Sequence, residues 1–173
     1  AREVDIISAH ILPYWESIDE GDAIQFAFAR YADLRAAFPG KRIVIAEFGW
    51  PSRGTNNRQA DPGPLIQADV LRGFLQEAHQ LDISYNIVEA IDQPWKTNEG
   101  SVGPYWGILN ANRQPKFAFS GSVREHNYWL RAAVAVGIGA LISIALFALA
   151  RRQATFAQML AVSSAAQLLS VAV

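Results

Sequence analysis

The chain has 173 residues, 51% hydrophobic and 18% charged, with 15 basic against 16 acidic side chains and no Cys. This near-neutral composition, with 11% aromatics, excludes a disordered acidic tail and a generic basic nucleic-acid binder, so no nucleic acid is expected as a partner. Without Cys there is neither a disulfide framework nor a Cys-based metal site, and the redox compartment stays open.

The averages conceal a break. Every acidic residue lies at or before Glu125, and beyond it the only permanent charges are Arg131, Arg151 and Arg152. Residues 1–124 read as a soluble α/β domain, 125–131 as a juxtamembrane linker, and the rest as lipid-soluble helix. The sequence opens directly into an apolar run and stops inside another, so it reads as a piece of a longer protein.

In chain order, residues 4–12 (VDIISAHIL) form an apolar run of strand length that ends at Pro13. Ala23 to Phe38 then places Ile24, Phe28, Tyr31, Leu34 and Phe38 at helical spacing, with Asp22 as the expected N-cap and Pro39-Gly40 as the stop. The pattern repeats. Ile43 to Phe48 is a β-branched strand, and Trp50 to Gly63 is a loop rich in Pro, Gly and Asn. Pro64 opens a helix with Leu65, Ala68, Leu71, Leu75 and Ala78 on its apolar face. Ser84 to Ile91 is expected as a third strand.

This alternation implies a parallel sheet, either doubly wound or an eight-unit barrel. The loops favour the barrel. Pro13-Tyr14-Trp15-Glu16, Gly49-Trp50-Pro51-Ser52 and Asp92-Gln93-Pro94-Trp95-Lys96 follow the three strands, at the end where barrel enzymes build their sites. No Gly-rich phosphate loop follows any strand. Three units against the eight of a barrel, and ~120 soluble residues against its ~250, say that roughly half of the barrel is absent.

Nineteen residues, Ala132 to Ala150, carry no charge, Asn, Gln or Pro. As a helix they would extend roughly 28 Å, close to the ~30 Å hydrocarbon thickness, and Tyr128 and Trp129 fit an interfacial belt. The run 154–173, with Gln158, Ser163, Ser164, Gln167 and Ser170, is expected as a second span whose polar groups need helix partners. Arg151 and Arg152 between the runs favour a cytoplasmic connection, although Arg124 and Arg131 weaken the asymmetry. The expectation is an inner (cell) membrane location, with the lipid bilayer as a partner and the soluble domain facing the periplasm or outside.

Glu47 lies one position before the end of an otherwise apolar strand, where a carboxylate is costly unless hydrogen-bonded or reactive. Position alone favours a Glu that simply points outward. The aromatic context reverses this, because four of the five Trp (Trp15, Trp50, Trp95 and Trp106) fall in the post-strand loops or just after them, where such rings can stack on sugars or seal the core. A carboxylate among aromatic platforms suggests glycoside chemistry, which needs a second acid. Glu16, Glu89, Asp92 and Glu99 are the visible candidates, and none combines strand-end placement with a proton-donor environment. Glu89 reads as buried structure, Asp92 as a turn former, and Glu16 and Glu99 as solvated.

Ala46-Glu47-Phe48-Gly49-Trp50-Pro51-Ser52 resembles the E-[TF]-G-W-P-S signature of glycoside hydrolase family 17, the β-1,3-glucanase family. His10-Ile11-Leu12-Pro13-Tyr14-Trp15 is similar to that family's H-x-x-P-Y-[WF] strand end, and Glu89 to Lys96 to its E-A-F-D-E-P-W-K segment. The resemblance implies the C-terminal part of a (β/α)8 TIM barrel, with Glu47 on the seventh strand as the nucleophile of a retaining reaction. The acid/base Glu would stand on the fourth strand, before Ala1, so this piece alone is expected to be inactive. Tyr14, Trp15, Trp50 and Trp95 match positions lining the sugar cleft, and His10 and Lys96 match site positions. Asp92 falls in the same segment, and Gln93 stands where the family usually has an acidic residue.

The implied activity is hydrolysis or transglycosylation of β-1,3-glucan, with no cofactor or metal. Membrane spans directly after such a barrel resemble bacterial members of the family joined to a processive glycosyltransferase, which would be a further partner as domain or subunit. The rival expectations are a non-catalytic glycan-binding or assembly module and an inactive fragment lacking the acid.

Overall fold

In the computed structural model, which describes residues 3–123, 128–149 and 155–171, the three apolar runs pair as a parallel sheet in the order β1 (Ile6–His10), β2 (Arg42–Phe48), β3 (Ser84–Ile87). Helices α1 (Ala23–Ala37) and α2 (Pro64–Gln80) connect the strands. The chain divides into two units, Ala1–Glu125 and His126–Val173.

The core of the first unit lies between the sheet and its helices. Ile43, Ile45 and Phe48 of β2 are buried. Phe48 stacks on Phe74 of α2 at 3.7 Å between centroids, and Phe74 in turn stacks on Phe28 of α1 at 5.3 Å. Removing one such ring would cost about 3–5 kcal/mol, because the cavity adds to the lost transfer energy.

Two expectations about the helices are corrected. The buried stripe of α2 is Gln67, Ala68, Val70, Leu71, Phe74 and Ala78, while Leu65 is exposed and Leu75 only half-buried. The stripe is rotated toward Phe74 because the sheet presents Phe48 there. Asp22 precedes α1 but makes no side-chain cap; Asp19 instead accepts a hydrogen bond from the Gly21 N–H at 2.8 Å.

β3 stops at Ile87 rather than Ile91. After Val88, whose N–H still donates to Phe48 O at 2.9 Å, the main chain leaves β2 and bonds to the returning segment. Glu89 N donates to Trp106 O, Ile108 N to Glu89 O, and Asp92 N to Leu109 O, all within 2.9–3.1 Å. These residues thus have backbone partners, but not the ones a longer strand would use.

In the second unit α3 (Tyr128–Leu149) packs against α4 (Phe156–Val171). α3 is a 22-residue helix containing an 18-residue stretch of mean hydropathy 2.5, long and apolar enough to cross a bilayer, and Ser143 satisfies its hydroxyl by donating to Gly139 O at 2.8 Å. Of the expected linker 125–131, Tyr128 to Arg131 belong to α3, and 125–127 lie outside the described residues. α4 has 16 residues, about 24 Å. Thr155 caps it: the Gln158 N–H donates to Thr155 Oγ1 at 3.4 Å and the Thr155 N–H to Gln158 Oε1 at 2.9 Å, a reciprocal capping box. Ala150 to Ala154, including the Arg151-Arg152 pair, and Ala172-Val173 lie outside the described residues, as does Arg124.

Candidate active site

Strand alternation sends residues i and i+2 to one face, so Ile43 and Ile45 on the helix side would put Glu47 in the core with them. It does not go there. Between the pairs Ala9↔Ile45 and His10↔Glu47, β2 advances two residues while β1 advances one; between Ile45↔Tyr85 and Phe48↔Ile87, β2 advances three and β3 two. One extra residue at Ala46-Glu47 is therefore accommodated against both neighbours, and a bulge of this kind reverses the facing of everything after it. Phe48 takes the core position, and Glu47 turns to the opposite face with a side chain 38% exposed.

The same irregularity sets His10 beside it, 60% exposed, with Nδ1 3.2 Å from Glu47 Oε2. With its proton on Nδ1 the imidazole donates to the carboxylate and fixes its orientation. The Ile11 N–H donates to Glu47 O at 2.9 Å, so the backbone carrying the carboxylate is also held. An oriented, solvent-reachable carboxylate at the C-terminal edge of a parallel sheet can act as a nucleophile or base.

The expected aromatic platforms divide into two sets. Trp15 and Trp95 are exposed, Trp95 at 75%. Tyr14 and Trp50 are not cleft-facing: both are buried and hydrogen-bonded, Tyr14 OH donating to Thr55 O at 2.6 Å and Trp50 Nε1 to Asp61 O at 2.9 Å. Tyr14 meets Trp15, Trp50 and Trp106 edge-on at 5.1–6.0 Å, and Trp15 stacks on the buried Trp106 at 5.8 Å. Tyr14 and Trp50 thus support the loops beneath the surface and offer no face to a sugar. Burial raises the Tyr14 pKa and keeps the phenol neutral.

The segment after β3 also separates by depth. Asp92 was expected at the site but is buried, accepting from the Gly107 N–H at 2.9 Å and from Lys116 Nζ at 2.7 Å. Lys116 also donates to Ser52 Oγ at 2.7 Å and to Tyr105 O at 3.2 Å, tying the loop after β2 to the loop after β3. Gln67 of α2 joins from below, its amide donating to Trp50 O at 2.8 Å. Glu89, expected as mid-strand structure, accepts from both Gln93 and Lys96, and Lys96 lies 3.2 Å from Glu99 as well.

Lys116, Gln67 and the role of Glu89 escape sequence reasoning. The signal for Gln67 was a polar residue inside an otherwise apolar helix stripe, and Lys116 had only its place next to Pro115. Two loops meet without clash because Gly49 has no side chain: a Cβ there would stand 2.3 Å from Val88 O. Among the described residues no group of three or more His, Cys, Asp or Glu is placed to hold a metal ion.

This geometry has relatives. Residues 1–107 match the BtgE/BtgC glycoside hydrolase domain family. The Probable beta-glucosidase btgE of Aspergillus terreus is 28% identical over 109 residues, covering 62% of this chain and 19% of that protein. The glucan 1,3-beta-glucosidase of Schizosaccharomyces pombe is 27% identical over 119 residues, covering 65% and 37%. Among solved structures, the glycoside hydrolase family 17 beta-1,3-glucanosyltransferase of Rhizomucor miehei superposes with a TM-score of 0.64 at 25% identity, covering 69% of this chain and 45% of that one. An active-site mutant of that enzyme in complex with laminaritriose gives 0.61 at 26% identity, covering 66% and 42%. The chain spans about a fifth of the length of the Aspergillus relatives and less than half of the solved barrel-bearing chain. With the match running through all three strands and the loops that follow them, this chain belongs to the BtgE/BtgC glycoside hydrolase domain family.

Proposed function

We propose that this chain supplies the nucleophile side of a retaining β-1,3-glucan hydrolase or transglycosylase, with Glu47 as the attacking carboxylate. The observation that carries this reading is the reversed register at Ala46-Glu47, which brings an oriented carboxylate out of the core at the strand ends of a glycoside hydrolase domain. The likeness to an enzyme solved with laminaritriose favours the β-1,3 linkage.

In this reaction a Glu47 oxygen bonds to the anomeric carbon as the glycosidic C–O bond breaks. The leaving oxygen takes a proton from an acid/base carboxyl, which this reading places on an earlier strand outside the chain. Water or a sugar hydroxyl, deprotonated by that same group, then displaces Glu47 and gives hydrolysis or transfer. His10, Trp15, Gln93, Trp95 and Lys96 line the cleft. α3 spans the membrane, with α4 as the start of a second span, and the domain stands on the outer face, where it meets glucan delivered by a glycosyltransferase partner.

Glu47→Gln in the full-length protein tests this. Turnover of laminari-oligosaccharides is expected to fall by on the order of 10³-fold or more with the fold intact. Mass spectrometry and NMR of the wild-type products separate hydrolysis from transfer. Undiminished turnover ends the assignment, and binding without turnover by the wild type favours a glycan-binding module.

A further inference from the structure

Glu89 lies outside the mechanism above, yet it is a buried carboxylate bonded to two half-buried side chains of the segment after β3. It is 8% exposed, and each of its oxygens has its own partner: Lys96 Nζ on Oε1 and Gln93 Nε2 on Oε2. A buried carboxylate carries a desolvation penalty that an apolar residue of similar volume would avoid, so its presence calls for a role. Its own origin is fixed, because its N–H donates to Trp106 O at 3.1 Å and its carbonyl accepts from the Ile108 N–H at 2.9 Å. The preceding residue, Val88, is bonded to Phe48 O, next to the proposed nucleophile.

Gln93 and Lys96 are half-buried, with 25% of the Lys96 side chain exposed, and the exposed Trp95 lies between them in sequence. A Lys ammonium has three donors on a flexible stem and does not hold one direction unaided. Here the buried Glu89 and the half-buried Glu99 each take one of them. The donor left over, the rest of the Gln93 amide and the exposed Trp95 ring, all within four consecutive residues, are the group types a sugar takes: an aromatic face and hydrogen-bonding groups.

We propose that Glu89 is a positioning residue of the glucan cleft, holding Lys96 and Gln93 in the orientation that binds sugar hydroxyls beside Trp95. This rests on the function proposed above. It makes Glu89 neither the missing acid nor a packing residue, and it acts on binding through Lys96.

The test compares Glu89→Gln, Lys96→Met and the double variant in the full-length protein, on a laminari-oligosaccharide series. Each single change is expected to raise KM by about tenfold with kcat altered less than about threefold. The double variant is expected to be no worse than the worse single one, because Glu89 has nothing to position once Lys96 is gone. A KM within twofold of wild type in Glu89→Gln, or additive effects in the double variant, overturns the assignment. If Glu89→Gln does not fold, Lys96→Met still decides, since an unchanged KM there removes the contact through which Glu89 would act. A wild type that turns over no β-glucan sinks the functional reading and this inference with it. An active wild type silenced by Glu47→Gln but indifferent to the Glu89 and Lys96 changes sinks only the inference.

Discussion

Two lysines follow β3, each held against a carboxylate, and they are shifted in opposite directions. At the rim, burial acts to lower the Lys96 pKa, but hydrogen bonds to Glu89 and Glu99 and the charges of both outweigh it, so the net shift is upward. In the packing beneath, desolvation lowers the Lys116 pKa and the single carboxylate of Asp92 does not restore it, with Arg53 adding a small push the same way. The lesson is that proximity alone does not set the worth of an ion pair; depth and the number of partners do. The rim keeps its lysine charged between two carboxylates, and the clasp beneath ties loops together at an electrostatic cost.

The largest effect that would break this division is at Glu47. Glu47→Gln should remove turnover by on the order of 10³-fold or more while a denaturant melt moves by less than about 0.5 kcal/mol, as expected for an exposed side chain. A large loss of stability would mean the carboxylate belongs to the packing. Next comes Lys116→Met, which leaves Asp92 buried without its cation and should destabilise the domain by about 3–5 kcal/mol, read as a lower urea midpoint. A neutral result would show that the clasp does not hold the loops.

A smaller loss is expected for Gly49→Ala. Its Cβ would press on the Val88 carbonyl, a backbone atom that cannot rotate away, so a cost of about 1–3 kcal/mol should appear in the same melts. The finest discrimination lies in alkaline pH. The folded state holds the Lys96 proton more tightly than the unfolded state, so that contribution is full below 10.5 and fades as pH rises through the raised folded value. Lys116 does the reverse: the folded state releases its proton more readily, so the cost of burying it declines as pH climbs from its lowered value toward 10.5. Melts of wild type, Lys96→Met and Lys116→Met between pH 8 and 11 should show opposite slopes in the two differences. Parallel slopes would remove the distinction between rim and clasp.

Much of the first unit was legible in the linear pattern. The β-branched run Ile43 to Phe48, the Pro64 helix start and the helical spacing after Asp22 each report a local preference that survives in the fold. The likeness to a glycoside hydrolase domain was legible for the same reason, since the residues around Glu47 and in the loops after each strand are contiguous motifs. The long apolar run was equally plain, because length and the absence of charge are properties of sequence alone.

The faces and depths were not. Whether Glu47 points to the helices or away from them turns on one extra residue in the pairing with β1 and β3, and pairing partners lie 36 or more positions away. Trp50 and Trp95 look alike as strand-end tryptophans. Only the packing of Tyr14, Trp106 and Gln67 decides that the first is core and the second surface. Likewise Asp92, a turn former and site candidate by sequence, is as buried as Glu89 once the main chain after Ile87 leaves β2 for the segment around Trp106. Sequence determined which chemistry this chain carries and on which elements, because propensity and motif are short-range. Tertiary structure alone decided which carboxylate meets solvent and which is locked beneath, because register and burial are set by contacts between distant parts of the chain.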